Sequence, residues 1–239
     1  MDMWGITHRG VIRQQNQDSF AIEKLEDGSI IAVVCDGMGG ARAGNVASSM
    51  AVEHFMDHFM AYKDEMNIQE RMQSAAAKAN QDVFHEATTH QEYAGMGTTM
   101  VAALVKEEEA FILNEGDSRA YHINQDGIVQ ITRDHSLVED MVERGELTRE
   151  QARNHPHKNL ITRALGAEPV LLADCFRRIM ESGDYLLLCS DGLSNVVTDQ
   201  EMLYEVIHGG EDESCCQRLL DIALHRGAPD NVSVVLIHR

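Results

Sequence analysis

Residues Ser29 to Gly40 read SIIAVVCDGMGG, and this stretch decides the fold. Ser29 to Cys35 is a short apolar run rich in β-branched residues, which predicts a buried strand. Asp36 ends the run abruptly, and Gly37, Met38, Gly39 and Gly40 turn the chain sharply. Downstream, apolar residues from Asn45 to Tyr62 recur at helical spacing (Val46, Met50, Val52, Phe55, Phe59), and a second amphipathic stretch covers Ile68 to His85. The two predicted helices pack side by side. Three β-like segments follow, Thr98 to Val105, Ala110 to Glu115 and Ser118 to Ile123, separated by KEEE and GD, and read as a meander. Ser136 to Ala152 predicts short polar helices and NHPHKN a loop, together a mobile flap over about 136–160. Tyr185 to Cys189 and Val232 to Ile237 form a last strand pair, with helices at Asp199 to Ile207 and Glu213 to His225 between them. Strands in runs and helices in runs, without βαβ alternation, give an α+β class built on antiparallel sheet with helices outside.

A chain of 239 residues is expected to form one domain, residues 1–239, with one substantial core. With 44% hydrophobic residues, 25% charged residues and three prolines, no disordered linker is expected. The 39 acidic against 20 basic residues leave a net charge of −19, which opposes nucleic acid as a partner. No window is apolar enough for a membrane span, and MDMWGITHRG lacks the order of a signal peptide, so a cytoplasmic location is expected. Of five cysteines, Cys35 and Cys189 sit in apolar runs and Cys215 and Cys216 in a helix-like stretch, as reduced core thiols do.

Aspartates recur at the ends of apolar strands: Asp36 in VVCDGMGG, Asp117 in NEGDSRAY, Asp191 in LLLCSDGLS and Asp230 in APDNVSVVL. A strand end is a rigid mount, and aspartate brings a hard oxygen donor with few rotamers to order. Several of them around one point would bind Mg²⁺ or Mn²⁺. A glycine beside Asp36 lets the backbone turn a carbonyl towards a cation, so Gly37 is a candidate donor. Each aspartate alone also fits a turn or helix cap, which DG and PDN sequences favour. Arg13 precedes Asn16 and Asp18 in RQQNQDSF; its planar fork suits phosphate, although a plain surface arginine fits the segment equally.

Other motifs lead nowhere. HEATTH spaces its histidines by five positions where a zinc-binding helix needs four, and reads as a solvated helix end. His155 and His157 read as loop residues, and the methionines as core fillers. DGMGGARAG lacks the lysine and hydroxyl residue of a nucleotide loop, and Cys189 and Ser190 sit in no nucleophile elbow.

From Gly10 to Ile237 the blocks GVIRQQNQDSF, VVCDGMGGARAG, GMGTTMVAAL, NEGDSRAYHI, ITRDHS, LITRALG, LLLCSDGLS and APDNVSVVLI occur in an order that resembles the metal-dependent protein phosphatases of type 2C, particularly the compact bacterial ones. The resemblance implies a four-layer α-β-β-α sandwich of two antiparallel sheets flanked by helices, with the metal site at one edge. It implies that Asp36 bridges two Mn²⁺ or Mg²⁺ ions, that Asp191 and Asp230 complete the first site, and that the Gly37 carbonyl serves the second. Asp117 with Asp191 would hold a third, weaker ion. Asp18 would orient water and Arg13 would grip phosphate.

The implied reaction is hydrolysis of phosphoserine or phosphothreonine by direct attack of a metal-bridging water, whose pKa two nearby cations lower. Gln17 stands where some relatives carry glutamate, and Met38 where others carry a histidine proposed as general acid, so water must protonate the leaving group. Phosphorylated proteins are the implied substrates, with a serine/threonine kinase and its targets as partners and a monomer as the working form. The rival readings are a noncatalytic phosphoprotein-binding pseudophosphatase and a hydrolase of a small phosphorylated metabolite, which would want a closed pocket.

Overall fold

The computed structural model describes residues 1–39, 43–62 and 66–239. Gly40, the last residue of the glycine-rich turn read from the sequence, lies outside the described residues. Strands β1 (Asp2–His8), β2 (Asp18–Lys24) and β3 (Ile30–Met38) come first, followed by helices α1 (Ala43–Ala61) and α2 (Ile68–Thr89). Then come β4 (Gly97–Thr98), β5 (Met100–Lys106), β6 (Glu109–Glu115), β7 (Arg119–Asn124) and β8 (Gly127–Gln130). Short helices α3 (Leu137–Glu143) and α4 (Arg149–Arg153) precede β9 (Asp174–Ile179) and β10 (Tyr185–Cys189). Helices α5 (Asp191–Ser194), α6 (Asp199–His208) and α7 (Cys215–His225) lead into β11 (Val232–His238).

The strands form two sheets, β1-β11-β10-β7-β8 and β2-β3-β5-β6-β9, with β4 beside β3, and their pairings are antiparallel. Side chains alternate across each strand, so the run from Ile30 to Cys35 divides cleanly. Ile31, Val33 and Cys35 pack under α1 and α2, while Ile30, Ala32 and Val34 pack against the other sheet with Leu186, Leu188, Val235 and Ile237. Helices α6 and α7 cover the far side of that second sheet through Met202, Val206, Leu219 and Leu220. The result is the expected α-β-β-α layering.

Helix α1 follows from a buried face of small residues, Ala43, Gly44, Ala47, Ser48 and Ala51, that widens to Phe55 and Phe59. Small side chains let its first turns approach the sheet closely. Helix α2 begins with a capping box, Asn67 accepting from the Glu70 amide while Glu70 accepts from the Asn67 amide. Its Arg71 is buried, yet its guanidinium lies 3.6 Å over the Phe59 ring and its Nε donates to the Phe59 carbonyl at 2.6 Å.

Two expectations need correction. The segments from Thr98 to Ile123 are not one meander: β5 and β6 pair, but β7 joins the other sheet beside β10. Gly116 makes the crossing with φ of 105°, and a side chain there would strike Thr99. The turn read as a simple GD reversal is therefore a corner between sheets, with Asp117 on it. Secondly, β1, β2, β8 and β9 were not expected from the pattern, and each is an edge strand.

Close chain crossings place the loops at one rim. A Cβ at Gly192 would sit 1.8 Å from the Asn231 carbonyl oxygen. Helix propensity alone makes Gly192→Ala stabilising by about 1 kcal/mol, whereas overpacking against backbone costs about 1–3 kcal/mol or more. The clash should win, and the substitution is expected to lower stability by roughly 1–2 kcal/mol in urea denaturation; a stabilised variant would contradict this packing.

Candidate functional site

The rows of apolar side chains that fill the space between the sheets run up to a rim where they become acidic and hydroxylic. There Val34 gives way to Asp36, Phe20 to Asp18, Val101 to Thr99, Ala120 to Ser118, Leu188 to Ser190 and Val235 to Ser233, each two residues along its chain. A period of two turns these successive positions to the same side. At this edge the interior rows thus end in Asp, Ser and Thr. Asp18 and Asp36 are direct partners in the β2–β3 register, which sets their Cβ atoms roughly 5 Å apart.

A cleft of about 530 Å³ opens at this rim, lined among others by Arg13, Gln17, Asp36, Gly37, Met38, Asp117, Asp191 and Asp230. The structure therefore brings the sequence-read acids to one place. Asp36 is held by its backbone: its amide donates to Thr99 Oγ1 at 2.9 Å, and its carbonyl accepts from the Thr99 amide and Thr98 Oγ1 at 2.9 Å each. Gly37 lies beside the first turn of α1, where a Cβ at Gly44 would fall 2.8 Å from its carbonyl oxygen. Asp191 opens α5 and accepts from Asn195 Nδ2 at 2.9 Å. Asp230 accepts from Arg13 Nη2 at 2.8 Å and from the Asn231 amide at 2.9 Å.

Asp18 lies behind the cleft, and its environment was not legible in the motifs. Asn16 Nδ2 donates to Thr7 Oγ1, whose own hydroxyl meets Ser233 Oγ at 2.8 Å. Ser233 and Ser190 both donate to Asp18 Oδ2 at 2.7 Å. Ser190, unconvincing as a nucleophile, is thus a hydrogen-bond donor to a buried acid. Asn231, Thr98 and Thr99 were also missed, because each acts on a partner far away in the chain or through its backbone; Asn195 was missed although its partner Asp191 lies only four residues away. A further buried side chain, His135, accepts from the Gly116 amide at 3.0 Å and reaches Asp174 at 3.1 Å, bracing the corner that carries Asp117.

Burial pushes the Asp18 carboxyl up to about 7 against the pull of its two serine donors, with Asp191 and Asp230 adding repulsion. Burial likewise lifts Asp191 to about 6, with Asp230 adding to it and a hydrogen bond from Asp36 opposing it. Asp36 and Asp117 are raised well above the ordinary carboxylate range, first by burial and then by their acidic neighbours. Asp18 Oδ1 and Asp191 Oδ1 are buried without a hydrogen-bond donor. A divalent cation suits this set of ligands, which is all hard oxygen, leaves two oxygens unmet by any hydrogen-bond donor and repels itself. Among the described residues no three His, Cys, Asp or Glu side chains close into a cage of their own. Water would therefore complete the coordination, as Mg²⁺ in particular prefers.

His85 and His90, the ends of HEATTH, are exposed at the end of α2, and His157 is exposed in the loop after α4. The cysteines are free, four of them buried. No helix among the described residues is long and apolar enough to cross a membrane.

Residues 7–220 match the family model described as Protein phosphatase 2C. The serine/threonine phosphatase stp of Listeria innocua is 38% identical over 240 residues, covering 98% of this chain and 94% of the relative. The structure of the serine/threonine phosphatase Stp1 from Staphylococcus aureus superposes with a TM-score of 0.94 at 36% identity, covering 100% of this chain and 94% of that one. The catalytic domain of the phosphatase PstP in complex with two manganese ions superposes with a TM-score of 0.87 at 30% identity, covering 98% of this chain and 96% of that one.

A carboxyl with a raised folded pKa contributes stability that is complete below its unfolded value, near pH 4, and lost as pH rises through the folded value. Asp191 at about 6 and Asp18 at about 7 place that loss between about pH 4 and 7. Chelator-treated protein is expected to melt at a lower temperature at pH 7.5 than at pH 5, and saturating Mn²⁺ to raise the melting temperature more at pH 7.5. Equal shifts at both values would contradict a cation site at these acids.

Proposed function

The chain belongs to the protein phosphatase 2C family, and from that premise we propose how its acidic cleft works. It is a protein serine/threonine phosphatase of a metal-dependent family, acting on phosphorylated proteins. In the proposed site Asp36, Asp191 and Asp230 hold one Mn²⁺ or Mg²⁺ ion, Asp36 and the Gly37 carbonyl a second, and Asp117 with Asp191 a third, weaker one. The observation that carries this reading is the convergence of mutually repelling, buried carboxylates, two of them with an oxygen that no donor meets.

Cations bound there supply an activated water near neutral pH and offset charge on the phosphoryl oxygens. Asp18, fixed by Ser190 and Ser233 through one oxygen, keeps the other to orient water. Arg13 stands at the rim with its side chain 51% exposed; one nitrogen meets Asp230, and the rest of the fork is available to a phosphoryl group. Met38 and Gln17 line the cleft without offering a general acid, so the leaving serine or threonine oxygen takes its proton from water. Retention of all the proposed acids favours an enzyme over a binding-only pseudophosphatase.

The cleft shares Asp117, Asn159 and Asp191 with a neighbouring hollow of about 740 Å³ between α3, α4 and the start of α6. Such an extended surface fits a protein substrate better than a small metabolite. Residues 1–239 act as one catalytic unit in this reading, and the segment around 136–160 is a flap, with Asn159 at the cleft wall. A serine/threonine kinase must supply the phosphorylated substrate, so that kinase and its targets are the proposed partners. The proposed working form is a cytoplasmic monomer.

The expected result is Mn²⁺-dependent phosphate release from a phosphothreonine peptide, reduced by roughly 10²–10³-fold in Asp36→Ala and Asp191→Ala, the scale of a single lost electrostatic partner of the transition state. Near-normal turnover in Asp36→Ala would end this reading. For Asp117→Ala, calorimetry should still find the two main ions while turnover falls by roughly tenfold or more; unchanged turnover would remove the third ion.

A further inference from the structure

Arg13 lies between β1 and β2, in the middle of residues 9–17, which form no strand or helix of their own. Gripping a phosphoryl group nevertheless demands placement to within roughly half an ångström. Something outside the segment must hold it.

The Gly37 amide of β3 donates to the Gln17 carbonyl at 3.0 Å, and one side-chain amide spans both ends of the segment. Asn231, 3% exposed, donates from Nδ2 to the Arg9 carbonyl and to the Gln15 carbonyl at 2.9 Å each, and accepts the Gln17 amide at Oδ1 at 2.8 Å. Its side chain therefore ties both ends of the segment whose middle is Arg13. Its own amide donates to Asp230 Oδ1, and its carbonyl oxygen presses on Gly192 beside Asp191. A single residue thus joins the arginine segment to the loops carrying two of the acids. Val11 adds one backbone bond to the Ala228 carbonyl, and Gly10 packs where a side chain would strike the Asp230 carbonyl oxygen.

We propose that Asn231 is the positioning residue that sets Arg13 against the cation-binding acids, so that substrate phosphate is gripped in register with them. This rests on the reading of Arg13 as the phosphate-gripping residue. Asparagine is required because the clamp needs two N–H donors and one acceptor on one short planar group, a set that neither aspartate nor serine offers. An aspartate of the same shape would turn an oxygen towards the Arg9 and Gln15 carbonyls and repel both.

The test is a double-mutant cycle in Mn²⁺-loaded enzyme with a phosphothreonine peptide, using Asn231→Asp, Arg13→Ala and the pair. Asn231→Asp should raise KM about tenfold and weaken inhibition by inorganic phosphate about tenfold, scales typical of a displaced supporting group, and calorimetric Mn²⁺ affinity should change less than about threefold. In the Arg13→Ala background the same substitution should add less than about twofold, since interacting residues are not additive. The Val11 amide, which donates to the Ala228 carbonyl from the same segment, should lose hydrogen-exchange protection in Asn231→Asp while the global melting transition persists. Should Asn231→Asp fail to fold, Asn231→Ser carries the same cycle. A full tenfold effect in the Arg13→Ala background, or a matching loss of Mn²⁺ affinity, would overturn the positioning role. Arg13→Ala with wild-type KM would instead overturn the reading of Arg13 itself.

Discussion

Repulsion among buried carboxylates is the constraint on which the rest of this structure depends. Asp18 and Asp36 face each other across two strands, Asp36 reaches Asp191, and Asp117 and Asp230 border the same cleft. Two unit charges 4 Å apart repel by about 4 kcal/mol even at an effective dielectric of about 20. A domain's whole stability is only about 5–15 kcal/mol, so several such pairs cannot all be charged without compensation. Protons or cations must supply it; in the proposed site cations do so near neutral pH, and a liability of folding would become a catalytic centre.

The sandwich produces this arrangement with little dedicated machinery. Alternation along six strands carries an apolar row to the rim and continues it with Asp, Ser or Thr. The residues beyond the apolar row therefore meet because the core beneath them meets. Hydroxyls from the second sheet then fix the acid of the first, as Ser190 and Ser233 do for Asp18. Gly37, Gly44 and Gly192 let chains approach where any side chain would force them apart, which keeps the loops of both sheets within reach of one another.

The central strands and both long helices were legible in the sequence, since a strand between neighbours is buried on both faces and reads as a solid apolar run. The edges were not. In β9 the sequence DCFRRI carries two arginines, β1 interrupts its alternation with Gly5, and β2 ends in charge, because an edge strand has one side to protect from further pairing. The meander from Thr98 to Ile123 failed for a different reason: a Gly-Asp turn looks alike whether it reverses a strand within a sheet or carries it to another. At the site, each acid that follows or precedes an apolar run was visible. Asn231, Ser190 and Ser233 were not, because their roles exist only through partners on distant segments, and Asn231 adjoins an aspartate that alone explains the motif.

The most direct measurement of the central claim is an anomalous difference map from crystals grown in Mn²⁺. It should show ions enclosed by Asp36, Asp191 and Asp230, with any weaker peak near Asp117. A map from active, manganese-saturated protein with no peak among those three carboxylates would contradict the account.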